Sequence, residues 1–185
     1  MPDPRKQSID IIGFGYKIKA GGMLDFEELY QELQRWFTYM GYTWQETKYR
    51  VIENPDGSKQ VELKWVCPKE VDDYVNFEIR MDLQVFHSDI EANVDGVKKK
   101  LQNGGFEFRL GAKYEKNWKE FWIPHKKILN EKDEDMAVGF KRFKKDIYER
   151  VLIKDRIEAY EAQLYTEAHM LFDEIKAYMK LYGAQ

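Results

Sequence analysis

The stretch that decides the fold is Asp73-Tyr-Val-Asn-Phe-Glu-Ile-Arg-Met-Asp-Leu-Gln-Val-Phe86. Val75, Phe77, Ile79, Met81, Leu83 and Val85 alternate in it with Asn76, Glu78, Arg80, Asp82 and Gln84. Successive side chains of a strand point to opposite faces, so this strand has one dry face and one wet face. Strands that alternate this cleanly belong to antiparallel sheets with one side in water. The dry face needs a cover, and the helical C-terminal third carries the apolar surface to supply it.

Upstream, Gln60–Cys67 reads as a strand with Val61, Leu63 and Trp65 facing one way, stopped by Pro68. Asn54-Pro55-Asp56-Gly57 is a turn, because proline presets its backbone dihedral and glycine takes the left-handed position. Tyr42–Glu53 forms the strand before that turn. Asp25, with Glu28 three positions on, has the pattern of a helix cap. Phe26, Leu29, Leu33, Trp36, Phe37 and Met40 then recur at helical spacing, and Gly41 ends the helix. Gly21-Gly22 reads as a loop, and Ile9–Ala20 as the first strand. Gly13 and Gly15 inside that strand lack the third glycine and the following helix of a dinucleotide fingerprint, so a bulge or close backbone approach explains them better.

Downstream, His87-Ser88-Asp89 interrupts the alternation. Asp95-Gly96 is a hairpin signal between Ile90–Val94 and Val97–Gln102, and Asn103-Gly104-Gly105 turns again into Phe106–Tyr114. The period becomes helical from Asn117. Trp118, Phe121 and Trp122 form a short aromatic turn ended by Pro124, and Asn130–Asp135 is charged and aperiodic. Gly139–Ile153 reads as a helix with Phe140, Phe143, Ile147 and Val151 on one face. After Lys154-Asp155 a long helix runs to about Tyr182. Its stripe is Ile157, Tyr160, Leu164, Ala168, Leu171, Ile175, Tyr178 and Tyr182, widened by Phe172 and Met179.

The 185 residues suit one domain, with a strand–helix–meander part over 8–115 and a helical part over 117–182. Hydrophobic residues are 43% and charged residues 34%, a mix that can fold around a core under a charged surface. A net charge of −3 and a pI of 5.8 argue against a generic nucleic-acid coat. One cysteine, Cys67, excludes an internal disulfide and fits a reducing compartment. With no signal-like N-terminal run and no membrane-length apolar stretch, the expected location is the cytoplasm.

Val71-Asp72-Asp73-Tyr74-Val75, the hairpin from Asp95 through Gly105, and the run from Arg156 to Glu167 resemble a group of uncharacterised archaeal proteins. The likeness spans Trp65 to Leu181 and rests on structural motifs. It implies an intracellular, single-domain protein and brings no site residues.

No catalytic, metal or cofactor motif stands out. His169 and Asp173 share a helix face, but a metal needs further ligands that no other pattern supplies. His87 with Asp89 fits a turn at a sheet edge, and His125 a solvated loop. Lys141, Arg142 and Lys145 make a basic face opposite Phe140, Phe143, Ile147 and Val151, and Lys144 flanks it. The spacing favours a core helix with a wet back over a helix facing an anionic membrane or nucleic acid. The expected fold is α+β: an antiparallel meander sheet of six or seven strands, with the Asp25 helix and the C-terminal helices on one face. That order is similar to helix-grip domains. The leading functional expectation is a non-enzymatic interaction or structural protein, with protein partners or self-association. The alternative is an apolar small molecule held between sheet and long helix, lined by Tyr16, Phe77, Met81, Phe108, Tyr160, Leu164 and Leu171.

Overall fold

The computed structural model describes residues 7–94, 97–119, 143–144 and 147–181. In chain order the elements are β1 (Gln7–Leu24), α1 (Phe26–Tyr39), β2 (Glu46–Glu53), β3 (Lys59–Glu70), β4 (Val75–Val94), β5 (Val97–Lys116), a π-helical turn (Tyr148–Leu152) and α2 (Lys154–Leu181). The fold is α+β. Among the described residues there is one antiparallel sheet of five strands, in the order β1-β5-β4-β3-β2.

The alternation of β4 sets the layers. Val75, Phe77, Ile79, Met81, Leu83 and Val85 are all buried, and from Phe77 on each lies opposite another buried residue of β3 or β5, such as Leu63 and Phe108 across from Leu83. α1 adds Leu29, Leu33 and Phe37 to the same core, and α2 adds Ile157, Leu164, Ala168, Leu171, Ile175 and Met179. At roughly 1.5–3 kcal/mol for each large apolar side chain taken from water, this face dominates the favourable side of folding. The Asp25 carboxylate accepts from the Glu28 amide at 3.0 Å and caps α1. Gly41, at φ +80°, follows the helix in the left-handed conformation.

Five strands stand where six or seven were expected, because two breaks read from the sequence are continuous strand. His87-Ser88-Asp89 does not interrupt β4: His87 pairs with Lys59 on one side and Gly104 on the other, and its side chain is buried. Nor does Asn103-Gly104-Gly105 turn. These residues pair with Ser88, His87 and Phe86 of β4 and with Met23, Gly22 and Gly21 of β1. β1 itself runs on through Gly21-Gly22, read as a loop. The glycines are there for closeness: a Cβ on Gly104 would overlap the Phe86 carbonyl and lie 2.7 Å from the Cα of His87. Val94 pairs with Val97, while Asp95 and Gly96 lie outside the described residues.

Pro68 does not stop β3, which continues to Glu70. Its carbonyl accepts from the Thr43 amide at 2.8 Å, on the side away from β4. The N–H that proline lacks would point the same way, where β2 has not yet begun, so no ladder bond is lost. β2 is shorter than the Tyr42–Glu53 expected, because Tyr42 turns inward into the core. The Asn54–Gly57 turn closes with the Gly57 amide 3.0 Å from the Asn54 carbonyl. In β1, three residues from Gly13 to Gly15 face only Gly111, a bulge that lays the Phe14 ring over the bare glycine.

The largest departure lies before α2. Phe143, Ile147 and Val151, expected in the core, are 61%, 43% and 72% exposed. The π-helical turn instead faces inward with Tyr148, Glu149 and Ile153, and that choice rotates the apolar stripe outward. Phe140 and most of the 117–142 helical reading, including His125, lie outside the described residues. No helix among the described residues is long and apolar enough to cross a membrane.

Two glycine variants separate close approach from mere flexibility. Gly104→Ala should lose roughly 2 kcal/mol or more in urea denaturation, because backbone must move to admit the methyl group. Gly105→Ala, with nothing near its Cβ position, should stay within about 1 kcal/mol of the parent.

Candidate functional site

A group of ionisable and hydroxyl side chains gathers where β4 begins and β5 ends. Asp72 organises it. Its Oδ1 accepts from the amides of Tyr74 at 2.7 Å and Val75 at 2.6 Å, a turn that aspartate makes with its own chain. Its Oδ2 accepts from the Tyr160 hydroxyl at 3.0 Å and lies 3.4 Å from Arg156 on α2. The Asp72 carbonyl takes the Trp118 indole N–H at 2.8 Å. Beside this turn the Tyr74 hydroxyl donates to Glu149 of the π-helical turn, and the Tyr114 hydroxyl donates to Glu161 of α2. Lys116 stands 3.8 Å from Glu149. Burial, then the bond to Glu161, pushes the Tyr114 phenol well above its usual range, and nearby Glu149 adds to the shift. Burial and the bond to Asp72 raise Tyr160 in the same way. Tyr114 and Tyr160 are thus held protonated, and the three phenol–carboxylate bonds tie the sheet to the helical segments.

A second polar group sits between the sheet and α2. Glu167 is only 6% exposed, on the stripe of α2 that faces the core. It accepts from the Tyr42 hydroxyl at 2.7 Å, from Lys69 at 2.8 and 3.0 Å, and from Gln163 at 2.7 Å. The Lys69 ammonium also lies 5.0 Å from the centre of the Tyr42 ring. A buried carboxylate is tolerated only with such partners, since its desolvation costs several kcal/mol. Burial and the bond to Glu167 raise the Tyr42 phenol far above its ordinary value.

The residues expected to line a cavity meet at the sheet–α2 interface. Phe77, Met81, Phe108, Leu164 and Leu171 are packed in the core, whereas Tyr16 and Tyr160 are half-buried. The Tyr160 ring meets Phe77 edge-on at 6.2 Å. The Tyr16 hydroxyl is 2.8 Å from Nε2 of His169, and its ring packs edge-on against His169 and Phe172. His87 is not at a turn or an edge. It lies inside central β4, 3.5 Å from Asp89, and burial lowers its pKa. Burial pushes the Cys67 thiol up to about 12, which makes it inert as a nucleophile at neutral pH. Among the described residues no three His, Cys, Asp or Glu side chains come together in a way that could hold a metal ion.

Of the basic face, Lys144 is described and exposed; Lys141, Arg142 and Lys145 lie outside the described residues. The separate run at Lys98–Lys100 is tied down by acids. Lys99 reaches Asp25 at 3.9 Å and Glu28 at 3.7 Å, and Lys100 reaches Asp89 at 3.2 Å. The wet face of the sheet is a lattice of opposite charges, with Glu107 bound by Lys17 and Arg109, both at 2.7 Å, and Lys64 by Asp82 at 3.0 Å. An open depression over Phe14, Lys64, Arg80, Asp82 and Arg109 is floored by these paired groups.

Sequence reading missed Glu167 and the phenol–carboxylate pairs. The available signal was chemical rather than periodic: Glu167 interrupts an apolar helix stripe, and Tyr114 occupies a dry-face position where its hydroxyl needs an acceptor.

Two measurements check these assignments. Glu167→Leu should cost roughly 3 kcal/mol by leaving the half-buried Lys69 and the buried Tyr42 hydroxyl without their partner, and Glu167→Leu with Lys69→Met should recover part of that loss in chemical denaturation. Lys59, with Lys100, holds the Asp89 carboxyl down at about 2, and Lys17, with Arg109 and Lys19, does the same for Glu107. Their unfolded values are about 3.9 and 4.3, so the stability they contribute is whole above about pH 4.5 and is lost as pH falls to about 2. Melting temperature measured down that range should fall less in the Lys17→Met, Lys59→Met variant than in the parent.

No protein-family model matches this chain, and no curated protein matches it.

Proposed function

We propose that this chain is a non-enzymatic intracellular interaction protein. The observation that carries the reading is the exposure of three large apolar side chains ahead of α2, Phe143, Ile147 and Val151. An apolar stripe in water is unfavourable unless another surface covers it. The ionisable groups support the same reading. Asp72, Glu149, Glu161 and Glu167 are bound by tyrosine hydroxyls or lysine within the chain, an arrangement that joins elements together.

One observation favours a second reading, a helix-grip-like protein for an apolar small molecule. β1 pairs with the last strand, β5, and α2 packs on both, so a long helix lies across one face of the sheet. The full burial of Phe77, Met81, Phe108, Leu164 and Leu171 weighs toward a filled core.

Native mass spectrometry of the purified protein tests both together. The interaction reading expects the mass of the bare chain or a multiple of it. A small apolar molecule retained at one per chain, and lost on Leu164→Trp at unchanged fold, would replace that reading with the second.

A further inference from the structure

We infer that β2 is a dimerisation edge: two copies of this chain join their sheets by pairing β2 with β2, antiparallel, about a two-fold axis at Val51. This goes beyond the interaction reading, because it names a partner and uses a different surface.

The two edges of the sheet differ. β1, at one edge, is broken by the bulge from Gly13 to Gly15, a device that spoils pairing with another chain. β2, at the other, pairs with β3 without a register shift from Lys48 to Glu53. Among the described residues β3 is its one neighbour in the sheet. A regular strand with one bare side is a template for another strand.

The turn after β2 fixes which backbone groups are bare. The Asn54 amide donates to the Ser58 carbonyl at 2.9 Å, and the Asn54 carbonyl accepts from the Gly57 amide, so both groups of Asn54 point toward β3. These groups alternate sides along a strand, so those of Ile52, Arg50 and Lys48 also point toward β3. Tyr49, Val51 and Glu53 turn their N–H and C=O outward.

The side chains are unfinished at the same place. Tyr49 and Val51 pair with Leu63 and Val61, which are buried in the core. Yet Tyr49 is 60% exposed and Val51 42%. The apolar face of the sheet runs out to this edge and stops there without cover. On the opposite face Lys48 is bound to Glu62, and Arg50 lies across from the same residue.

β2 fits itself in one register. With Val51 on the axis, Val51 meets Val51 of the second copy, Arg50 meets Ile52, Tyr49 meets Glu53 and Lys48 meets Asn54. The outward backbone groups then face one another, and no like charges stand directly opposite. An axis at Arg50 would set Arg50 against itself, and one at Tyr49 would set Lys48 against Arg50; like charges so placed repel. An axis at Ile52 would run Tyr49 against Pro55, past the end of the strand. A foreign strand would have to match this alternation and charge order, whereas a second copy brings both. The contact is isologous and closes at two subunits.

Native mass spectrometry of the full chain should show two chains per particle. Val51→Pro removes only an outward N–H, a change that an edge strand tolerates. It should keep the circular dichroism of the parent and be monomeric. Two cysteine variants test the register, and Cys67 is buried and does not compete. Val51→Cys should give a disulfide-linked dimer under mild oxidation, because the two Cα atoms would lie about 5.5 Å apart, within disulfide reach. Tyr49→Cys should not, since its two copies would stand about 14 Å apart along the strands. A monomeric wild type overturns the inference. So does a dimer that survives Val51→Pro, or one that Tyr49→Cys links as readily as Val51→Cys. If Val51→Pro alters the circular dichroism, the cysteine variants decide. A monomer that retains no ligand leaves the interaction reading in place, whereas an apolar molecule retained in a β2-paired dimer replaces that reading and leaves this inference standing.

Discussion

Everything in this structure answers to one constraint, the unbroken apolar row along the inner face of β4. Six consecutive inward positions from Val75 to Val85 are buried, and the strand is central, flanked along its length by β3 and β5. A strand dry on one side can stay in water only if its neighbours match its alternation and a second layer covers it. β3 and β5 supply the match in register, residue against residue. α1 and α2 supply the second layer, side by side, with amphipathic stripes that would be unstable alone.

The polar contacts follow from that covering. Helices laid over a sheet bring the ends of tyrosines and lysines close to acidic groups that would otherwise be desolvated. At one end Asp72, Glu149 and Glu161 take Tyr160, Tyr74 and Tyr114; nearer the middle Glu167 takes Tyr42 and Lys69. At the far end Tyr178 donates to Glu28 at 3.0 Å, fastening the close of α2 to the opening of α1. Hydrogen bonds of this kind each add a modest net stability, but leaving any one unmade is expensive, so together they select one placement of the helices.

The phenols and carboxylates at the lower end also decide what faces out. The bond from Tyr74 to Glu149 and the burial of Ile153 hold the π-helical turn. Phe143, Ile147 and Val151 look like core residues by spacing alone. They are surface because a neighbouring tyrosine–glutamate pair claimed the inward side.

The sequence by itself determined the elements whose signal is local: the alternating strand at Val75–Val85, the cap at Asp25, the turn at Asn54–Gly57 and the stripe of α2. Each depends on side chains a few residues apart, and period or turn chemistry is enough to read it. Tertiary structure alone decided where strands end, which face a short amphipathic segment presents, and which acids are buried. His87 and Asn103–Gly105 resemble breaks until the paired strand on each side is known, because hydrogen bonds to neighbours, not local preference, carry a strand through polar and glycine residues. Glu167 resembles a surface acid until Tyr42 and Lys69, more than 90 residues away in the chain, are brought to it. Partnerships over that separation leave no period in the sequence, and burial of charge is settled by partners rather than by residue type.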